Sequence, residues 1–316
     1  MDKENKKIYE LIILGAGPAG TAAGVYAARK KINTLLITEN FGGQAVVAAT
    51  IENIVGFEQI SGMEMAMRFE KQLRYQSDIE IVVDHILEIK DLKEYFEVQT
   101  NNGNYFGERL LVCLGRRYRK LNVPKEKELE GKGVFYCSTC DAPILKNKNA
   151  AVIGGGNSGL LAVLDLIPYA SKIYLLTDEA FLRGDQVLQE RIKKEDKVEI
   201  FYNTQILEIL GDKFVTGLKF KDKIDNAEKI LEVSGIFIEA GMEPNSELVR
   251  DLVQLNDAKE IIVDGVLGRT SHPKIWAAGD ITNLPFKQIT VAMGDGVRAL
   301  LDIYNNIQGK KNKEFI

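Results

Sequence analysis

Cys137 and Cys140, in the segment FYCSTCDAP, are the side chains of this chain best suited to covalent chemistry. A CxxC spacing lets two sulfurs meet and lets one thiolate be stabilised by its surroundings, so the pair can cycle between dithiol and disulfide. Asp141, next to the second sulfur, is placed to act as acid or base for a departing or attacking thiol. Zinc is the competing use of such a pair, but it asks for further Cys or His ligands. Only Cys113, His85 and His272 are available, none at zinc-like spacing, so no metal is expected. The blander alternative is two unrelated buried thiols. Cys113, inside the apolar run RLLVCLG, reads as a small core residue.

The second chemical signal is glycine. Gly15-Ala16-Gly17-Pro18-Ala19-Gly20 follows an apolar strand and opens a small-residue helix. In a GxGxxG turn the first glycine allows a tight bend, the second lets backbone approach a pyrophosphate, and the third lets helix and strand pack closely. The phosphate then sits at the positive end of the helix. Glu39, 24 positions after Gly15, could hold a ribose hydroxyl. Gly154-Gly155-Gly156-Asn157-Ser158-Gly159 repeats the pattern, with Asp178 again 24 positions on. Gly154, Gly156, Asn157, Ser158 and Asp178 are therefore the expected nicotinamide contacts. Two dinucleotide sites in one chain suggest a flavin and a nicotinamide exchanging hydride.

These turns need parallel strands to hold them. The strand, glycine turn and helix occur twice, over Ile8 to Lys30 and over Ala150 to Leu166, each followed by a second apolar strand, Thr34–Thr38 and Lys172–Thr177. A third apolar run, KIWAAGDI, lies near the C-terminus. At 316 residues, about two domains are expected. The crossings fall near Arg116–Val123 and Gly241–Asn245, which would insert the second domain into the first. Net charge is −4, from 41 basic and 45 acidic side chains spread along the chain, so no basic field points to nucleic acid or a membrane surface. No run of 18 apolar residues and no secretory leader is present, and a cytoplasmic location is expected. In a reducing cytosol a CxxC suggests redox or metal chemistry rather than a structural staple.

Together these motifs resemble the low-molecular-weight thioredoxin reductase family, the class II FAD-dependent pyridine nucleotide-disulfide oxidoreductases, over nearly the whole chain. The matching pieces are GAGPAG, Gly42-Gly43-Gln44 followed by Ile51-Glu52-Asn53, Cys137-Ser138-Thr139-Cys140-Asp141, GGGNSG, and AAGDI with Lys287-Gln288-Ile289. The resemblance implies an α/β fold of two Rossmann-like doubly wound domains. Residues 1–117 and 244–316 would form a discontinuous FAD domain, and 118–243 an inserted nicotinamide domain carrying the CxxC. FAD would be held by Gly15, Gly17, Pro18, Ala19, Gly20, Glu39, Gly43, Gln44, Asn53, Val83, Gly115, Gly279, Asp280, Lys287, Gln288 and Ile289. The resemblance further implies electron flow to Cys137–Cys140 and then to a thioredoxin-like protein, with Cys140 facing the flavin and Cys137 attacking the partner. It also implies a domain rotation and a homodimer.

The chain departs from that pattern at one informative place. NADPH-dependent members carry a His-Arg-Arg run after the second strand of the inserted domain, because a 2′-phosphate wants fixed cations. Here the stretch reads Thr177-Asp178-Glu179-Ala180-Phe181-Leu182-Arg183. NADH is therefore the expected donor and NADPH is not. Some relatives lacking the basic run take electrons from carriers such as reduced ferredoxin. The basic segment Arg116-Arg117-Tyr118-Arg119-Lys120 could dock such a carrier or a thioredoxin, or be a solvated hinge. Ala142 follows Asp141 where many members have glycine. Other readings of the same motifs are a flavin dithiol oxidase using oxygen and a non-catalytic redox sensor. With two histidines and no G-x-S-x-G, no hydrolase triad is available.

Overall fold

The apolar runs that precede the two glycine turns become central strands of two parallel sheets. In the computed structural model, residues 6–48, 51 and 53–309 are described, without the side chains of Val47 and Cys140. Contacts group the chain into two units, one of Met1–Arg117 with Glu243–Ile316 and one of Tyr118–Met242.

In the first unit the parallel sheet runs Ile275–Ala277, Leu110–Val112, Leu11–Ala16, Thr34–Phe41, Glu80–Val83. Its inner strands Leu11–Ala16 and Leu110–Val112 bury both faces, which is why they read as continuous apolar runs. Leu11 and Ile13 pack with Ala23, Ala27 and Leu36 on one side. Ile12 and Leu14 pack on the other with Phe96 and Val98. Those two belong to a four-stranded sheet ordered Ile8–Tyr9, Asn104–Gly107, Phe96–Thr100, Ile86–Asp91. The helix Pro18–Arg29 starts with proline at its first turn, where no N–H is needed. Its small residues admit the helix Ile289–Ile307, so closely that a Cβ on Gly296 would stand 2.1 Å from the Ala19 carbonyl oxygen. That C-terminal helix is pinned by Asp302, whose carboxylate accepts from Arg269 at 2.6 and 2.8 Å and from the Trp276 indole at 2.9 Å. The helix Gly62–Tyr75 has an ordinary cap, Ser61 Oγ accepting from the Glu64 N–H at 3.1 Å.

The second unit repeats the plan. Its parallel sheet runs Val134–Phe135, Gly235–Ile238, Asn149–Ile153, Lys172–Leu176, Val198–Phe201. The helix Asn157–Leu166 covers one face through Leu160, Val163 and Leu166. The other face is covered by the antiparallel strands Thr204–Gly211, Val215–Asp222 and Glu228–Glu232, through Ile209, Leu218 and Phe220. The edge strand beyond Leu110–Val112 comes from the end of the chain in the first unit, whereas its counterpart Val134–Phe135 comes from the start of the second. The architecture is thus α/β, two-domain and Rossmann-like. The two connecting segments, Arg116–Tyr118 and Met242–Pro244, run together as a two-stranded ribbon. Among the described residues, no helix is long and apolar enough to cross a membrane.

Candidate active site

In the second unit, Cys137 immediately precedes a short helix, Ser138–Asp141, closed by the Asp141 N–H donating to the Cys137 carbonyl at 3.2 Å. The helix is tethered by side chains: Ser138 Oγ donates to Asp165 Oδ2 at 2.7 Å and Thr139 Oγ1 donates to the same oxygen at 3.2 Å. Cys137 is disulfide-bonded; the side chain of Cys140 lies outside the described residues. Partial burial raises the Asp141 carboxyl above the usual carboxylate range, the direction an acid/base group at a thiol requires. Ala142 is buried and Pro143 opens a 3-10 turn that drives Leu145 into the core. Cys113, in the first unit, is free and 5% exposed. Burial, reinforced by the Asp295 charge, pushes its thiol far up, so it is a core residue and not a nucleophile.

The turn Gly154–Gly159 lies in the same unit as Cys137. Gly154 has φ +132°, and a Cβ there would stand 2.2 Å from the Glu239 carbonyl oxygen. Gly156 begins the helix Asn157–Leu166 without any side-chain cap, and a Cβ on it would meet nothing within 4 Å. An uncapped helix start beside open space at Gly156 is the arrangement a pyrophosphate occupies. Asn157 and Ser158 are exposed there. The Asn157 side chain is already used, its Oδ1 accepting from the Asp185 N–H at 2.6 Å. Asp178 is exposed two residues beyond Lys172–Leu176. Arg183 pairs with Glu179 at 3.1 Å, and Lys223 Nζ donates to the Asp178 carbonyl at 3.0 Å.

In the first unit three separate segments converge. Gly15, at φ +97°, packs on the Cys113 carbonyl, to which a Cβ would come within 2.6 Å. Gly17 starts the helix Pro18–Arg29 uncapped, and a Cβ on it would fill the space toward Gly43 Cα, 3.9 Å away. Gly279 packs against Ala19. Asn53 Nδ2 donates to Gln288 Oε1 at 3.2 Å, joining positions 235 residues apart. Gln288 is the N-cap residue of Ile289–Ile307, again without a side-chain cap. Glycines whose Cβ would fill a cradle, beside two uncapped helix starts, fit an FAD pyrophosphate and ring. Burial raises the Asp280 carboxyl, against the pull of Lys287 and Arg116. The same burial lowers the Lys287 ammonium. Gln44 is exposed in the Gly43–Val47 turn, Val83 ends its strand half-exposed, and Gly115 lies at the mouth of the connecting ribbon. Glu52 lies outside the described residues.

One expectation needs amending. The second strand continues to Phe41, because Phe41 pairs with Ala16 and the Gly42 N–H donates to the Ala16 carbonyl at 2.9 Å. Glu39 thus sits within the strand and holds His85 Nδ1 at 2.7 Å. At the basic crossing, Arg116 pairs with Glu260 and donates to the Asp280 carbonyl, Arg117 pairs with Glu247 and Glu243, and Lys120 pairs with Glu130. Sequence reasoning missed His85, Asp165, Lys223 and Glu239. Glu239 alone left a trace, as the acid that interrupts GIFIEAG at the C-terminal end of a parallel strand. Among the described residues, no group of three or more His, Cys, Asp or Glu side chains could hold a metal.

Comparison with known proteins agrees with this geometry. The profile of the pyridine nucleotide-disulphide oxidoreductases matches residues 9–296. In Xanthomonas campestris pv. phaseoli, a subunit of alkyl hydroperoxide reductase is 38% identical over 96% of this chain, and the NADH dehydrogenase of Bacillus subtilis is 36% identical over 95%. The chain spans 58% and 59% of those two proteins. The thioredoxin reductase of Lactococcus lactis superposes with a TM-score of 0.82 at 33% identity, covering 95% of this chain and 99% of that one. The thioredoxin reductase of T. acidophilum gives 0.79 at 34%, covering 96% and 100%. The chain belongs to the FAD-dependent pyridine nucleotide-disulphide oxidoreductases, in the class of the low-molecular-weight thioredoxin reductases.

Proposed function

We propose that the protein is an NADH-dependent reductase of a thioredoxin-like protein disulfide. The observation that carries this reading is a disulfide at Cys137, on a tethered turn, in the unit that also holds the second glycine turn. A bound FAD supplies a two-electron relay between nicotinamide and disulfide. Cys137 and Cys140 take up that electron pair with two protons, becoming a dithiol, and pass both to the partner disulfide by thiol–disulfide exchange. Asp141 serves as the local acid and base, and Cys137 as the sulfur that attacks the partner. Gly15–Gly20, Glu39, Gly43, Asn53 and Gly279–Ile289 hold the flavin nucleotide, and Gly154–Ser158 and Asp178 the nicotinamide nucleotide.

NADH is preferred over NADPH because Asp178 and Glu179 stand where a 2′-phosphate would need cations, and Arg183 is already paired with Glu179. Lys223, at the Asp178 carbonyl, is the cation on which NADPH use would have to rest. The relative named NADH dehydrogenase supports the choice. The relatives named for alkyl hydroperoxide reductase favour a second reading for the acceptor, a protein disulfide in hydroperoxide reduction.

Anaerobic bleaching of the flavin band near 450 nm, a general flavin property, tests the donor. Rapid bleaching by NADH and not NADPH is expected; bleaching by neither removes the nicotinamide assignment and turns the search to ferredoxin-like carriers. The thiol roles are tested by trapping. A mixed disulfide should accumulate with Cys140→Ser and not with Cys137→Ser, and the reverse pattern overturns the assignment.

A further inference from the structure

Both residues between the two cysteines are hydrogen-bonded to a single oxygen, Asp165 Oδ2, on the neighbouring helix Asn157–Leu166. A carboxylate can only accept, and a hydrogen bond to a charged group is about twice as strong as a neutral one.

We propose that Asp165 is a positioning residue for the redox pair, fixing the Ser138–Asp141 turn from the adjacent helix. The proposal rests on Cys137–Cys140 being the redox pair.

The consequence is an effective concentration. A fixed turn keeps the two thiols poised to close on each other, so releasing it makes the disulfide harder to form relative to an external thiol pair. The measurement is equilibration of the FAD-loaded full chain with reduced and oxidised glutathione: disulfide plus two glutathione thiols gives dithiol plus glutathione disulfide. Asp165→Ala should favour the dithiol by about tenfold, equivalent to ~30 mV for a two-electron couple. Asp165→Asn, which keeps an acceptor oxygen, should stay within about threefold of wild type. An Asp165→Ala equilibrium within twofold of wild type, in protein with a native far-UV spectrum, overturns the anchoring. Failure of the underlying reading shows differently: Cys137→Ser would then still turn over a protein disulfide.

Discussion

Gly154→Ala tests whether the second glycine turn cradles a dinucleotide. Alanine there carries two costs. At φ +132° a side-chain-bearing residue is strained by about 1–3 kcal/mol. Its Cβ would also stand 2.2 Å from the Glu239 carbonyl oxygen, inside the 3.0 Å that such contacts essentially never breach. The turn must therefore retreat from the Gly235–Ile238 strand by at least about 0.8 Å, and the obstacle is backbone, so no rotamer relieves it. A hydrogen bond at about 2.9 Å does not survive such a displacement unweakened. A combined loss of ~3 kcal/mol corresponds to roughly 100-fold weaker nicotinamide binding. The assay is anaerobic titration with NADH, followed at the flavin band, with dithionite reduction and flavin content as controls. Flavin content should be retained, because the matching first-unit position is Gly15. The parallel Gly15→Ala, at φ +97° and 2.6 Å from the Cys113 carbonyl oxygen, should instead lose flavin. Wild-type half-saturation and bleaching rate in Gly154→Ala would refute the placement of the nicotinamide nucleotide on this turn.

Three further outcomes are expected. Glu239 binds its proton in the folded chain up to about pH 8, against an ordinary value of 4.5; being a raised acid, it adds stability that is complete below the unfolded value and is lost as pH rises through the folded one. Urea unfolding monitored in the second unit should show wild type losing ~2 kcal/mol relative to Glu239→Gln between pH 5 and 9, less than the ~5 kcal/mol of full conversion because the carboxyl is partly hydrated. Reduced native protein should expose two thiols to iodoacetamide and yield the third, Cys113, only on unfolding, as its burial dictates; three fast thiols would contradict the core assignment. Ser61→Ala should lower stability by about 1 kcal/mol through loss of the cap on Gly62–Tyr75, with flavin content unchanged, and calorimetry measures it.

Much of this was legible before any coordinates. The parallel strands announced themselves because both of their faces are buried, so Leu11–Leu14 and Ala150–Ile153 carry no polar alternation to confuse them with half-exposed strands. The glycine turns were legible because each first glycine stands where only glycine fits without strain, and the CxxC because few chemistries use that spacing in a chain with two histidines. What stayed hidden depends on partners far apart in sequence. Nothing in the run RRYRK shows that Glu260, Glu247 and Glu243 pair with its first two arginines. Asp165 looks like one acid on an apolar helix until Ser138 and Thr139 are seen to donate to it across 27 and 26 residues.

The acids that matter share a position and differ in surroundings. Asp178 follows the strand Lys172–Leu176, Glu239 follows Gly235–Ile238, and Asp280 follows Ile275–Ala277. Open parallel sheets bind ligands outside the carboxyl ends of their strands, so a carboxylate in any of these places lies near the chemistry. Burial then divides their uses. Asp178 is exposed, with its side chain available to accept from ribose hydroxyls. Glu239 and Asp280 are raised by desolvation, Asp280 against the pull of Lys287 and Arg116. On the reading proposed above, replacing Asp178 should act on donor choice, whereas replacing Glu239 should act on the pH dependence of stability.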